Sequence, residues 1–113
     1  MAQSFLESTS IFETLDEPQH FKSKSRVLVQ LMLWVAGACR LSQEQRVAYT
    51  DDLLMKNFLQ QPAHEILAGL TAELQKQTHH RLSEANLLRQ ATLLAEEALN
   101  QEPVPAVTEV GHL

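Results

Sequence analysis

The stretch VLVQLMLWVAGAC, residues 27–39, decides the fold. Its apolar positions Val27, Leu28, Leu31, Trp34, Val35 and Ala38 recur at i, i+3, i+4 and i+7, the repeat of one helix face. Val29, Met32 and Leu33 fall outside that stripe, so the segment is apolar almost all round. A helix of that kind is central in its fold or shared between subunits. The run is 13 residues long and interrupted by Gln30, whereas a membrane-spanning helix needs about 20 apolar residues. It therefore reads as a buried helix, from Ser23 to Gly37 or Ala38.

Working outward, Leu41-Ser42-Gln43-Glu44-Gln45 is a helix start. Ser42 is the cap, Gln45 its reciprocal partner and Leu41 a candidate staple. The helix that follows is predicted to reach Gln60 and to bury Val47, Leu54 and Phe58, with Leu53 and Tyr49 to one side. Thr50-Asp51-Asp52 is a candidate kink. Pro62 favours the first position of a third helix presenting Ile66, Leu67, Leu70 and Leu74, and Gly69 within it marks a candidate close helix approach. A fourth helix opens at Ser83, where Leu82 and Leu87 are spaced for a staple. Its Leu87, Ala91, Leu94 and Ala98 repeat at 4-3-4 spacing, a heptad seam whose alanines admit a partner helix closely.

The totals agree with this outline. A chain of 113 residues suits one domain, and only three glycines and four prolines interrupt it. Leu, Ala, Gln and Glu dominate, residues that lose little freedom in a helix. The fold class is all-α: a small four-helix bundle-like domain over 22–100, a short N-terminal helical arm over 1–21 and a disordered tail over 101–113. The arm carries Glu7, Glu13, Asp16 and Glu17 without one lysine or arginine. Capping boxes at Ser4–Glu7 and Ser10–Glu13 start short turns, and Pro18 stops the second of them. Phe5, Leu6, Ile11, Phe12 and Leu15 make the arm too apolar to lie free in water. It either straps its own core or docks on another protein, and the sequence leaves both open.

Chemistry has little foothold. Cys39 is the single cysteine, so no intrachain disulfide forms, and at the end of the most apolar helix it reads as an inert core thiol. Glu17-x-x-His20 and Glu109-x-x-His112 have the spacing of carboxylate-bridged iron ligands, but Pro18 and the Pro/Gly tail deny them a helix. His64-Glu65 lacks the second histidine of a zincin. His79-His80-Arg81 reads as a solvated cationic helix end. No catalytic residue, metal or cofactor is assigned, and the protein is not expected to be an enzyme.

The net charge of −5 sits in the arm and tail, leaving the body near neutrality. That balance suits a phosphate backbone poorly. Lys22, Lys24 and Arg26 form the one basic cluster, read as neutralising the adjacent arm. A DNA-binding regulator of helix-turn-helix type is the competing function, disfavoured because the third helix carries acids where base-reading side chains belong. The turn Ala38-Cys39-Arg40-Leu41-Ser42-Gln43-Glu44 resembles that of TerB-like helical domains. Those domains carry an Asp-Gly pair before the serine that is missing here, and no family is assigned. The expectation is a non-catalytic protein-binding module: a small regulator, adaptor or assembly/secretion chaperone. Its partner-facing residues are Phe5, Leu6, Ile11, Phe12 and Leu15 in the arm and Leu87, Ala91, Leu94 and Ala98 in the seam. A homodimer is expected from the surplus apolar surface. With neither a signal-peptide pattern nor a spanning segment, the chain is expected to be cytoplasmic and off the membrane.

Overall fold

A computed structural model describes residues 11–77 and 82–102 of the chain. The Ser4–Glu7 box, Phe5, Leu6, His79, His80 and the tail from Pro103 lie outside the described residues. Within them the chain forms a helical segment over residues 11–14 (α1) and a 3₁₀ turn at Pro18–His20. Four long helices follow: α2 (Phe21–Cys39), α3 (Gln43–Phe58), α4 (Ala63–Gln77) and α5 (Glu84–Asn100). There is no strand among the described residues.

The apolar helix is central, as its all-round pattern predicts. α2 packs on α3 along one side and on α5 along the other, and α4 closes against α3 and α5. Val27, Leu28, Leu31, Met32 and Val35 of α2 join Leu53, Ile66, Leu70, Leu74, Leu87 and Ala95 in one core. α2 starts at Phe21, two residues before the predicted Ser23, because the 3₁₀ turn runs straight into it. Pro18 stands first in that turn, where its fixed φ helps and its missing N–H is not needed.

The serine caps predicted at Ser42 and Ser83 form, and those at Ser4 and Ser10 lie outside the described residues. Ser42 Oγ accepts from the Gln45 N–H at 3.1 Å while Gln45 Oε1 accepts from the Ser42 N–H at 2.9 Å. Ser83 Oγ accepts from the Asn86 N–H at 3.2 Å. At α4 the Pro62 carbonyl takes the Ile66 N–H at 3.0 Å, so Pro62 sits one position ahead of Ala63, and Ile66, Leu67, Leu70 and Leu74 are buried as predicted.

α3 turns a different face inward from the one its apolar pattern suggested. Val47 and Phe58 are exposed and Leu54 half-buried, whereas Leu53 and Asn57 are buried. A polar contact helps to select that face: Asn57 Nδ2 donates to Ser25 Oγ of α2 at 2.8 Å, and burying the amide with that partner orients the helix. Thr50-Asp51-Asp52 does not break α3; the Thr50 hydroxyl donates to the Arg46 carbonyl at 2.7 Å within a continuous helix. Gly69 marks no close approach of helix backbones either, since a Cβ there would meet the Lys56 ammonium nitrogen at 3.4 Å.

Candidate functional site

The arm crosses the end of the bundle where α2 begins and α4 begins. Phe12 and Leu15 are each 1% exposed and belong to the common core. Between them and α2 lies a buckle of polar groups. The Lys24 ammonium, on a residue only 4% exposed, donates to Asp16 Oδ1 at 2.9 Å and to the Gln61 carbonyl at 2.8 Å. The same Asp16 oxygen accepts the Ala63 N–H at 2.8 Å, capping the start of α4. A carboxylate there meets both an ammonium and the positive end of a helix dipole. Glu13 adds a 3.4 Å contact to His64 on α4. The arm is thus strapped to its own domain from residue 11 onward.

A second contact joins the two ends of the described chain. Glu102 Oε2 accepts from Ser23 Oγ and lies 2.7 Å from His20 Nδ1. The Ser23 hydrogen bond is the chief cause holding the Glu102 carboxyl below the usual carboxylate range; partial burial opposes it, and the His20 hydrogen bond and charge add to the lowering. A carboxyl whose folded value lies below its unfolded one stabilises the fold above the unfolded value, and loses that contribution as pH falls through the folded one. Glu102→Gln is therefore expected to lower Tm at neutral pH, with the gap to wild type closing as pH is taken down through the carboxylate range. A gap that stays constant into acid would show that the clasp carries no charge linkage.

Most of the exposed large hydrophobics belong to two neighbouring helices. Phe21, Leu33, Val47, Met55, Phe58 and Leu59 are exposed large hydrophobics of α2, α3 and the residue after α3. Phe21 and Phe58 share the wall of a cavity of about 450 Å³ with Leu15, Pro18, Asp16, Glu17 and Lys24. A wider cleft of about 700 Å³ opens between α3 and α4, lined by Tyr49, Asp52, Lys56, Gly69, Glu73 and Lys76 among others. Its charges are mixed, and Lys56 is paired with Asp52 at 2.9 Å.

Among the described residues no group of three or more His, Cys, Asp or Glu side chains is placed to hold a metal. Glu17 and His20 do meet, at 3.7 Å, but as a pair on the 3₁₀ turn. Burial pushes the Cys39 thiol up from its ordinary pKa, which lowers the fraction present as reactive thiolate at neutral pH.

Of the residues predicted to face a partner, Phe12 and Leu15 are in the core and Ile11 is half-buried against it. Phe5 and Leu6 lie outside the described residues. Leu87, Ala91 and Ala98 are buried within this one chain, and Leu94 packs on the same core. Sequence reasoning passed over the outer face of α3, because its apolar residues were assigned to the core. It also passed over Glu102, whose partners lie 79 and 82 positions away.

The fold is a small all-helical domain with exposed apolar side chains concentrated on α2 and α3. The model of one protein family, ATPase inhibitor subunit zeta, matches residues 6–101, and the chain belongs to that family. No curated protein and no solved structure shows a significant match to it. Membership in a family of inhibitor subunits bears out the regulator in the expected set of roles, and lends nothing specific to the adaptor or the chaperone.

Proposed function

We propose that this protein is a non-catalytic inhibitor that binds an ATPase assembly, the ATP synthase, and restrains its ATP hydrolysis through protein contact. The observation that carries this reading is the family match across residues 6–101, the whole helical domain and most of the arm. The structure supports it in one respect. Because the buckle and the core hold Phe12, Leu15 and Asp16, the chain ahead of residue 11 leaves from a fixed point on the bundle. Phe5 and Leu6, the two further apolar residues of the arm, lie outside the described residues and are proposed as partner contacts. Among the described residues no helix is long and apolar enough to cross a membrane. Action on the cytoplasmic side, where ATP is available, is part of the proposal. The paired-copy alternative through Leu87, Ala91, Leu94 and Ala98 has no support from packing that places those side chains inside one chain.

The test adds the purified chain to the ATP synthase isolated without it and measures ATP hydrolysis. Hydrolysis is expected to fall with added chain to a plateau, and Phe5→Ala with Leu6→Ala is expected to blunt the effect. Hydrolysis unaffected at saturating chain would overturn the proposal.

A further inference from the structure

We infer that the outer seam between α2 and α3 is a docking groove for an amphipathic helix of the ATPase assembly, one that is acidic along one flank and basic along the other. The inference rests on the inhibitor reading and deepens it by naming a face and the chemistry of what covers it.

Of the seven exposed large hydrophobics among the described residues, six belong to α2, α3 or the residue after α3, and only Leu93 lies elsewhere. The surplus is concentrated, which scattered surface apolar residues are not. At one end of the seam Phe21 and Phe58, the latter 70% exposed, stand on the same cavity wall. On α3, Val47 and Met55 stand two turns apart on one side of the helix, with Phe58 three residues further on. On α2, Leu33 continues the surface toward the other end of the chain's central helix. The trough between two packed helices is the shape that takes a third helix through anchors at i, i+4 and i+7 spacing.

Charge settles the kind of helix. Lys22 and Arg26, one turn apart on α2, are exposed, and so are Glu44 and Asp51 on α3. No ion pair engages any of these four among the described residues, unlike Lys56, which Asp52 holds. The α2 flank is therefore basic, and on the α3 flank the exposed acids Glu44 and Asp51 outweigh the half-buried Arg46, which leaves it acidic on balance. A partner helix complementary to both presents acids toward Lys22 and Arg26 and bases toward Glu44 and Asp51, and such matching fixes its direction in the groove.

The experiment uses the full chain and the ATP synthase freed of it. The variant Met55→Ala/Phe58→Ala alters side chains exposed in the free protein, so its melting curve should match wild type. Its half-inhibitory concentration is expected to rise roughly tenfold or more, as for loss of central apolar anchors, with the same plateau of inhibition finally reached. Asp51→Lys is expected to weaken binding as well and to change its salt dependence. A photo-crosslinker at position 58 should join the chain to a helix of the assembly with charged flanks of opposite sign.

Four results would overturn the inference. One is unchanged inhibition by the double-alanine variant. Another is a dimer of the free chain abolished by Phe58→Ala, which would make a second copy the occupant. A third is a crosslink only to residues 1–10 of the same chain. If wild-type chain neither binds nor inhibits, the inhibitor reading fails and this one with it; if wild type inhibits and the variants do so equally, only the docking groove fails.

Discussion

Phe12→Ala is expected to strip the arm from the domain before it unfolds the bundle. The ring is 1% exposed within the common core, and truncating a buried phenylalanine costs about 3–5 kcal/mol when the surroundings cannot collapse. The arm has another course, because α1 and the turn after it can lift away together. The loss is then limited to the free energy of docking the strap, including the burial of Leu15 and the contacts of Asp16. For a domain of this size each kcal/mol moves Tm by roughly 4–8 °C. Thermal unfolding should therefore show a clear fall. Amide exchange should accelerate across residues 11–17 while the interiors of α2 and α5 stay protected. Full protection of residues 11–17 in the variant, with unchanged Tm, would show that Phe12 is not an anchor. Uniform loss of protection throughout would show that strap and bundle are one cooperative unit.

The helices were legible wherever the signal was local. Ser42 and Gln45 lie three residues apart and satisfy each other's backbone, so their reading needed no knowledge of the fold. The all-round apolar pattern of α2 placed it centrally for an equally direct reason. α3 shows where local reading stops. It carries one set of apolar residues at Val47, Leu54, Met55 and Phe58 and another at Tyr49 and Leu53, so apolar spacing gives two answers. The choice depends on Asn57 finding Ser25, 32 positions away. Apolar bias alone would have buried the face that the protein leaves outside.

The candidate site divides the same way. Reading Lys22, Lys24 and Arg26 as neutralising the acidic arm anticipated the Lys24–Asp16 pair, eight residues apart. The other partners of that pair, the Gln61 carbonyl and the Ala63 N–H, lie 37 and 47 positions from it and come together only when α4 packs. The seam of α5 was recognisable as a seam, but spacing cannot say whether the helix it receives belongs to the same chain. Here Leu87, Ala91 and Ala98 are filled from within.

Lys24→Met should lower stability more than any other single change of a charged residue in the described chain. Methionine keeps most of the apolar stem but removes the ammonium, leaving Asp16 with the Ala63 N–H alone and the Gln61 carbonyl without its donor. Removing one partner of a fully buried pair costs about 3–5 kcal/mol. Asp16 keeps 31% of its side chain exposed while Lys24 keeps 5%, so water recovers part of the loss and about 2–3 kcal/mol is the expected figure. Adding Asp16→Asn to Lys24→Met removes the stranded charge and should restore part of the stability, because an amide oxygen still caps Ala63. A double-mutant cycle reads that coupling directly. Lys24→Arg separates charge from fit: it keeps the positive charge, but a planar guanidinium must replace a compact ammonium beside both the carboxylate and a backbone carbonyl. It should fall between wild type and Lys24→Met. If all three single and double variants melt with wild type, the buckle does not hold the arm, and its closure must come from Phe12 and Leu15 alone.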